Sequence, residues 1–426
     1  MNILILGSGG REHAFAWKIK QSPLCEHLYI APGNAGTAQL GTNLNIAVND
    51  FESIATAALL HQITLVFVGP EAPLVHGIVD YFLNTPCIAH IKVIGPSKAA
   101  AQLEGSKAFS KAFMQRHGVP TAAYKEFTAV NFIDGLDYLT KHSLPVVLKA
   151  DGLAAGKGVL ICNSVAEAQA EFELMLKQSK FGEASRKVVV EEFLQGIEMS
   201  VFVLTDGKNY VLLPEAKDYK RIGEGDTGLN TGGMGAVSPV PFMNEVLKKN
   251  IIQTIVEPTI AGLQIDNLPY KGFIFIGLMV QNNEAIVIEY NCRMGDPETE
   301  VVLPRIENDF VEMLLATTNQ TLNSTSLHTS SQTVVATVAV SGGYPGHFVK
   351  GFAIEAINIE NDKNSLLFHA GTLQSDNAVI TNGGRVLVSV GFGDNIADAQ
   401  KKSEAQLSKI HYEGISYRRD IGYEFM

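Results

Sequence analysis

The feature that most constrains the fold is a pattern repeated near the N-terminus: a short apolar strand, a glycine-containing turn and then a helical stretch. It begins at residues 3–6, 65–68 and 92–94. Strands that alternate with helices predict right-handed crossovers and an open parallel sheet. Ligands bind at the carboxyl ends of the strands in such sheets, and all three turns lie at those ends. The pattern therefore predicts an N-terminal α/β domain with a ligand site along one edge.

Beyond residue 103 this regular alternation stops, and shorter α+β units follow. Ser106 is a candidate N-cap for a helix that Gly118 and Pro120 end. Residues 217–240 are rich in glycine and charge and predict a long loop, a feature that is usually functional or disordered in a compact region. A polar linker at 318–332 precedes further strands and a closing helix near 396–410. The predicted domains are residues 1–103, residues 104–325 with a small subdomain at about 120–193, and residues 326–426.

Composition and charge exclude several classes of protein. The 426 residues carry a formal net charge of −11, which does not suit a protein that tracks a nucleic-acid backbone. The four cysteines form no C-x-x-C pair, so neither a zinc site nor a disulfide framework is indicated. The apolar runs are far shorter than the roughly 20 residues that span a bilayer, and the N-terminal run is too short for a signal peptide. These features predict a cytoplasmic protein with no nucleic-acid or membrane partner.

The segment VVLKADGLAAGKGV at residues 146–159 looks like a phosphate-binding loop but fails the usual pattern. A P-loop ends in Gly-Lys followed by Ser or Thr, whereas Gly156 and Lys157 are followed by Gly158. Backbone N–H groups of such a loop can still fold over phosphates as a flap. Lys149 ends the preceding strand, and Lys107 begins a helix, where its charge opposes the helix dipole unless an anion binds there. A solvated surface lysine remains the alternative for each of the two.

A polar cluster closes the strand IVIEYNCR. Because alternate side chains of a strand face the same way, Glu289, Asn291 and Arg293 are predicted to share one face. A carboxylate oxygen and an amide oxygen about 7 Å apart along a strand can share one hard cation, with water and phosphate oxygens in its other positions. The alternative is a polar strand that faces solvent. The sequence therefore predicts Glu289 and Asn291 as ligands of a divalent metal ion.

The segment VVVEEFLQGIE offers a weaker signal for a nucleotide. Glu191 and Glu192 lie on opposite faces of this strand, and the strand end near Leu194 can present backbone groups to an adenine edge. Glu198, after the turn, can accept hydrogen bonds from ribose hydroxyls. An ordinary edge strand would have the same appearance.

The first turn, GSGGREH, is not a dinucleotide fingerprint. That motif requires a third glycine at position 12, where Glu12 stands, and this disfavours a nicotinamide oxidoreductase. Backbone N–H groups at a helix N-terminus still favour an anion such as phosphate. The residues that would surround it are Gly9, Gly10 and Arg11.

Taken together and in this order, these segments resemble the phosphoribosylamine–glycine ligase family of purine biosynthesis, within the ATP-grasp superfamily. The resemblance runs the whole length of the chain. It rests on the segments GSGGREHA, APGNAGT, VGPEAPL, QLEGSKAF, KADGLAAGKGV, NTGGMGA, NCRMGDPET, GGYPG and TNGGRVL. It implies an α/β and α+β multidomain protein with an N-terminal open parallel-sheet domain, a central ATP-grasp clamp and a C-terminal α+β domain.

The resemblance also implies substrates and a mechanism. Glycine's carboxylate would attack the γ-phosphate of ATP, and the amine of 5-phosphoribosylamine would displace phosphate from the resulting acyl phosphate. Lys107, Lys149 and a Mg²⁺ or Mn²⁺ ion would supply positive charge, while Arg293 would hold glycine's carboxylate and Asp218 its ammonium group. The same resemblance places Lys220 and Arg221 on the loop of Asp218. It places Gly9, Gly10 and Arg11 at the 5′-phosphate of phosphoribosylamine. Asn34, Gly36 and Glu71 would lie at the ribose of the same substrate.

Some positions depart from the family pattern. Tyr219, Leu229 and Met294 stand where histidine, proline and phenylalanine are frequent. None of these departures removes a predicted ligand, but they leave the shape of the glycine pocket open. The strand at 273–280 carries no acidic residue, so a second metal ion would be held mostly by phosphates and water.

Three alternatives stay open. They are an ATP-grasp ligase or carboxylase with other substrates, a catalytically silent nucleotide-binding regulator, and a nicotinamide oxidoreductase. The intact Glu289, Asn291 and Arg293 favour an enzyme over a silent regulator. A monomer or weak dimer is expected.

Overall fold

The computed structural model describes residues 1–154, 158–357, 364–376 and 378–426. The N-terminal region is the predicted parallel sheet, whose strands lie in the spatial order β5-β4-β1-β2-β3. Its elements in chain order are β1 (Asn2–Gly7), α1 (Gly10–Lys20), β2 (His27–Pro32), β3 (Thr42–Asn43), α2 (Phe51–Leu60), β4 (Leu65–Val68), α3 (Glu71–His76), α4 (Ile78–Asn84) and β5 (Lys92–Pro96).

Two helices lead from this region into a small four-stranded unit. They are α5 (Gln102–Gly105) and α6 (Lys107–Arg116), and α6 begins where the sequence predicts, because the Ser106 hydroxyl accepts the N–H of Phe109 at 3.1 Å. The small unit is an antiparallel sheet covered by helices and has its own apolar core. Its elements are β6 (Tyr124–Thr128), α7 (Phe132–Lys141), β7 (Val146–Ala150), β8 (Val159–Cys162), α8 (Val165–Gln178) and β9 (Lys187–Glu192).

The central region extends the N-terminal sheet rather than starting a separate one. Strand β16 pairs antiparallel with β5 at one end, and with β10 and β17 along its length. The elements are β10 (Ile197–Thr205), β11 (Tyr210–Leu212), β12 (Lys217–Asp218), β13 (Arg221–Gly223), β14 (Thr227–Asn230), β15 (Gly235–Ser238), α9 (Glu245–Ile251), α10 (Glu257–Ile265), β16 (Tyr270–Gln281), β17 (Glu284–Asn291), α11 (Thr299–Val302) and α12 (Phe310–Asn319).

The segment 217–240 is not the unstructured loop that the sequence predicts. It contains the four short strands β12 to β15. Strand β15 pairs with β18 of the C-terminal region, and β12 pairs with β15. The partner strand lies about a hundred residues further along the chain, so local periodicity carries no sign of this pairing.

The C-terminal region forms a five-stranded sheet in the order β12-β15-β18-β22-β19, with a helix on one face. Its own elements are β18 (Thr333–Val340), β19 (Ser365–His369), β20 (Thr372–Ser375), β21 (Ala378–Thr381), β22 (Arg385–Gly393) and α13 (Ile396–Leu407). Two strands of this sheet come from the central region, so the two regions share secondary structure. Among the described residues, no helix combines the length and the apolar character needed to cross a membrane.

Candidate functional site

The carboxyl end of β17 brings together five of the predicted residues. Tyr290 and Cys292 point into the apolar core, which leaves Glu289 and Asn291 on the other face, with Asn291 Nδ2 at 3.5 Å from Glu289 Oε1. Burial opposes ionisation of Glu289, but Lys107, Lys220 and Lys149 outweigh it and lower the pKa of this carboxyl. Lysines from three distant segments therefore converge on one ionised carboxylate.

The next predicted residue on this face, Arg293, lies between two carboxylates. Its Nη2 is 2.9 Å from Glu104 Oε1, and its Nε is 3.5 Å from Glu71 Oε2. Glu104 also accepts the backbone N–H of Cys292 at 2.7 Å. We call Arg293, Glu71 and Glu104 the arginine centre. It links three segments: Glu71 begins α3, Glu104 lies in α5, and Arg293 follows the end of β17.

Burial acts differently on the two carboxyls of the arginine centre. Burial raises the pKa of Glu104, and Arg293 offsets this only in part. For Glu71, burial is outweighed by Arg293 and Arg11, which together lower its pKa. Among the described residues, the buried Nε of Arg293 has no hydrogen-bond partner. This Nε is thus held by the charge of Glu71 at 3.5 Å without a well-formed hydrogen bond.

A second centre has the opposite plan. The carboxylate of Glu191, on β9, lies between two ammonium groups, with Oε2 at 2.8 Å from Lys111 Nζ and 3.0 Å from Lys149 Nζ. Lys149 also donates to the carbonyl of Ile288 at 3.2 Å. We call Lys111, Glu191 and Lys149 the lysine centre. Its contacts connect α6, the small four-stranded unit and β17.

The lysine centre is sealed from solvent. The side chains of Lys111, Lys149 and Glu191 are 2%, 5% and 3% exposed. Burial lowers the pKa of Lys111 to about 8, although Glu191 acts in the other direction. Within the described part of the chain, Glu191 Oε1 has no hydrogen-bond partner, so a buried acceptor remains unused.

The loop after β12 carries two of the predicted catalytic residues to the same place. Lys220 Nζ is 2.5 Å from Glu198 Oε2. Burial raises the pKa of Asp218, with Lys220 opposing it and Glu198 adding to it. Burial also raises the pKa of Glu298, and Asp218 is the next contributor. Asp218, Lys220, Glu198 and Glu298 thus form one electrostatically coupled group beside Glu289.

The predicted flap is only partly described. Gly156 and Lys157 lie outside the described residues. Before them, Asp151 Oδ1 accepts from the Ser106 hydroxyl at 2.9 Å and from the N–H of Ala108 at 2.7 Å. After them, the carbonyl of Gly158 accepts the N–H of Ala150. Both ends of the flap are therefore anchored close to the start of α6, where Lys107 stands.

Near the end of β9, three of the residues predicted to bind the nucleotide contact other groups of the protein. The Glu192 carboxylate accepts the N–H of Ala123 at 2.8 Å, and Leu194 is half-buried. Glu191 faces the two lysines described above, and Glu198 faces Lys220. The nucleotide contacts of these four residues stay predictions.

At the first turn of the N-terminal sheet, Glu12 occupies the predicted phosphate loop. Its Oε2 accepts the N–H of Gly9 at 2.6 Å, and its Oε1 pairs with Arg11 Nε at 2.7 Å. A side chain on Gly10 would collide with Glu300. Arg11 Nη1 also donates to the carbonyl of Met294 at 3.1 Å, which brings this turn against the arginine centre. The Gly9 amide is thus already bonded to a carboxylate, and a phosphate would have to displace it.

Asn34 and Gly36 hold a turn instead of opening to a cleft. Asn34 Nδ2 donates to the carbonyls of Ser8 at 2.9 Å and His369 at 2.8 Å, and Oδ1 accepts the N–H of Gly36 at 2.9 Å. A side chain on Gly36 would collide with the ring of His13. Because both ends of the Asn34 amide are bonded to backbone, a direct ribose contact by this side chain has no free atom to use.

Sequence reasoning missed three residues of the site. Glu104 completes the arginine centre, Lys111 completes the lysine centre, and Glu298 adds a buried carboxyl beside Asp218. Only Lys111 left a local signal, because it lies four residues after Lys107 on α6 and so on the same helix face. Glu104 and Glu298 stand inside the quoted segments QLEGSKAF and NCRMGDPET, but nothing local reveals their partners.

The donors at the end of β17 suit a divalent cation that also binds phosphates. Glu289 is an ionised carboxylate, and Asn291 has an amide oxygen, which here accepts from Arg293 Nη2 at 3.3 Å. Within the described residues, no group of three or more His, Cys, Asp or Glu side chains could hold a metal ion by itself. Mg²⁺ is commonly bound by one or two protein oxygens, with water and substrate phosphates in its other positions. The donor set therefore fits this kind of ion.

The fold and these converging lysines define an ATP-grasp protein. Three family models match the chain: the N domain of phosphoribosylglycinamide synthetase at residues 1–104, its ATP-grasp (A) domain at 105–299 and its C domain at 334–424. The chain belongs to the phosphoribosylglycinamide synthetase family.

Relatives and solved structures agree with this assignment. The chain is 46% identical to a phosphoribosylamine–glycine ligase of Pasteurella multocida and 43% identical to one of Escherichia coli, in each case over 99% of this chain and 98% of the relative. The crystal structure of the ligase from Thermotoga maritima matches with a TM-score of 0.85 at 34% identity, covering 99% of this chain and 100% of that one. A biotin carboxylase of Campylobacter jejuni shares the fold, with a TM-score of 0.73 at 16% identity over 99% of this chain and 94% of its own.

Proposed function

We propose that this protein joins glycine to 5-phosphoribosylamine at the expense of ATP, forming glycinamide ribonucleotide, ADP and phosphate in purine biosynthesis. The observation that carries the proposal is the ionised Glu289, surrounded by Lys107, Lys149 and Lys220 and adjacent to Arg293. Clustered cations next to a carboxylate are suited to a nucleotide bound with a metal ion. Family membership and full-length relatives that carry this activity in their names support the choice of substrates.

The chemistry proceeds in two steps. A carboxylate oxygen of glycine attacks the γ-phosphorus of ATP, the bond to the β-phosphate oxygen breaks, and glycyl phosphate and ADP result. The amine of phosphoribosylamine then attacks the glycyl carbonyl, loses a proton and expels phosphate, which leaves an amide. Both steps concentrate negative charge, so catalysis depends mainly on positioning and on preorganised positive charge.

We assign the phosphate side of the site to the lysines. Lys107 and Lys149 face the β- and γ-phosphates, and the flap function of Gly156, Lys157 and Gly158, the first two of which lie outside the described residues, stays a prediction. Glu289 and Asn291 would hold Mg²⁺ or Mn²⁺, which would neutralise phosphate charge. The strand end at Glu192 and Leu194 faces the adenine edge, and the free Oε1 of Glu191 is an acceptor suited to the adenine amino group. Glu198 accepts from ribose hydroxyls once it parts from Lys220.

We assign the amino-acid side to the arginine centre and to the loop of Asp218. The guanidinium of Arg293, which Glu71 and Glu104 hold in place, donates to glycine's carboxylate, and Asp218 pairs with its ammonium group. Lys220 orients Asp218 and offsets charge on the acyl phosphate, and Arg221 flanks them. The turn of Gly9, Gly10 and Arg11 would take the 5′-phosphate of phosphoribosylamine, with Glu71 nearest to the ribose. Asn34 and Gly36 shape that pocket through the turn they hold.

We further propose a division into residues 1–103, 104–325 and 326–426, with the lid at about 120–193, and a cytoplasmic monomer or weak dimer. The separate apolar core of residues 127–190 supports the lid as a folding unit. The shared strands at both other boundaries favour rigid contacts between the larger units.

The test is substrate-dependent release of ADP. With phosphoribosylamine generated in situ, glycine should give full turnover, and other small carboxylic acids should give little. Glu289→Ala should abolish ADP release while circular dichroism and the melting temperature (Tm) stay close to those of the parent protein. Glu284→Ala, at the exposed start of the same strand, is the matched control and should retain activity. Equal turnover with an unrelated acid would refute the substrate assignment, and a normal rate in Glu289→Ala would refute the metal site.

A further inference from the structure

The last ten residues of the chain lie across the loop that carries Asp218 and Lys220. Glu424 uses both carboxylate oxygens on this loop: Oε2 accepts from the Tyr219 hydroxyl at 2.7 Å, and Oε1 lies 2.7 Å from Lys217 Nζ. These two partners flank Asp218 on either side. The tail therefore grips the loop at the residues next to the predicted glycine ligand.

The buried ring of Tyr219 fixes the side of the loop on which the neighbouring side chains lie. It is 1% exposed and packs in an apolar cluster with Val237, Ile396 and Ile421. Lys217 Nζ lies 4.0 Å from the ring centroid. Alternate side chains of an extended segment face opposite ways, so a Tyr219 ring anchored on the core side directs Asp218 and Lys220 towards the cleft. The departure at position 219 thus has a structural reason, because its hydroxyl reaches Glu424.

A second grip holds the tip of the same loop. The buried guanidinium of Arg418 lies 2.6 Å from Asp226 Oδ1 and 2.8 Å from Asp420 Oδ1. Asp420 in turn accepts the N–H of Gly225 at 2.7 Å, and Arg418 donates to the carbonyl of Arg221. The tail therefore contacts the loop before its β13–β14 hairpin, on β13 and at the turn between the two strands.

Unlike β12 and β15, which belong to the C-terminal sheet, the β13–β14 hairpin of this loop joins no larger sheet. Residues Thr227–Asn230 of β14 are all exposed, and the β13–β14 hairpin is a two-stranded sheet of its own. An isolated hairpin of this kind is marginally stable in water, and fixing each backbone residue costs roughly 1–2 kcal/mol of conformational entropy. Contacts from outside the hairpin must therefore offset this entropy cost.

We propose that the C-terminal tail is a positioning element for the glycine site. Glu424, acting through Tyr219 and Lys217, sets the orientation of Asp218 and Lys220, and Arg418 orders the hairpin that follows them. The effect on glycine rests on the role proposed above for Asp218, whereas the ordering of the loop does not.

The first arm of the test needs no substrate. Hydrogen exchange of the backbone amides in residues 217–234 should become faster in Glu424→Gln and in Tyr219→Phe, while the amides of β1 and β4 keep their rates. Glu413→Gln removes an exposed charge from the same C-terminal segment and should change nothing. If residues 217–234 exchange at the parent rate in both Glu424→Gln and Tyr219→Phe, the proposal is overturned.

The second arm is kinetic. Glu424→Gln and Tyr219→Phe should each raise the KM for glycine by about 5- to 10-fold, as expected for a lost hydrogen bond, and leave the KM for ATP unchanged. Because Glu424 also pairs with Lys217 and shares the contact with Tyr219, the two effects should be less than additive in the double variant. Equal rises in both KM values would reduce the tail to a stability element and overturn the proposal.

The two arms also separate this inference from the proposed function. If the parent protein shows no glycine-dependent ADP release, the proposed function fails, and the exchange arm still decides whether the tail orders the loop. If exchange accelerates but the KM for glycine does not move, the loop is ordered by the tail without a role in glycine binding, which contradicts the positioning role.

Discussion

The lysine centre and the arginine centre are built on opposite plans. The first places one anion between two cations, and the second places one cation between two anions. Their burial also differs: the three side chains of the lysine centre are at most 5% exposed, whereas Arg293 and Glu71 are 19% and 33% exposed. The lysine centre is therefore buried between packed elements, whereas the arginine centre is partly exposed.

This difference indicates which substrate group each centre suits. The lysine centre has an excess of positive charge in a site with little water, where electrostatic interactions are stronger, so it favours the phosphates. The arginine centre holds Arg293 between two carboxylates and leaves its side chain partly exposed. A guanidinium cannot be deprotonated in proteins, so Arg293 stays positively charged at every working pH.

The largest expected effect comes from the lysine centre. Lys149→Met removes an ammonium group assigned to the phosphates, and the rate of ADP formation should fall by roughly 10²–10³-fold. The KM for glycine should change far less. Lys125→Met, on an exposed position of β6 in the same lid, is the control. A rate within about twofold of the parent value would break the assignment of phosphate binding to this centre.

A smaller and more selective effect is expected from the arginine centre. Arg293→Ala should raise the KM for glycine by about 10- to 100-fold, the scale of a hydrogen bond to a charged group, with little change in the KM for ATP. Arg116→Ala removes a half-exposed arginine paired with Asp266 on the surface and should leave both constants unchanged. If Arg293→Ala affects ATP and glycine equally, the two centres do not divide the substrates between them.

The smallest expected effect concerns pH and stability. The pKa of Glu71 in the folded chain is lower than its ordinary value of 4.5, so its pairing with Arg293 stabilises the fold fully above that value. The contribution is lost as pH falls through the folded-state pKa. Because Glu71 is one-third exposed, the contribution should be at most about 1 kcal/mol.

The measurement is the Tm of the parent protein and of Glu71→Gln between pH 3 and pH 7. The gap between the two should be present at neutral pH and should close in acid. Glu52→Gln, on the surface of α2, should show no gap that depends on pH. A gap that widens in acid would contradict the direction of the shift.

Local physics made several features readable from sequence. The three strand–turn–helix units and the Ser106 cap depend on residues close together in the chain, and the structure contains each of them. The shared face of Glu289 and Asn291 follows from the alternation of a strand, which is also local. The family resemblance, carried by short contiguous segments, was confirmed by the comparisons.

What sequence alone determined is therefore the kind of the strongly patterned elements, the side of a strand on which a residue lies, and the family. Only the tertiary structure decided which charges meet. Glu104 pairs with Arg293, Lys111 with Glu191, and Tyr219 with Glu424. The strands hidden in residues 217–240 likewise needed β18 as a partner. The physical reason is range: alternation and capping act over a few residues, whereas ion pairs and strand pairing depend on how distant elements pack.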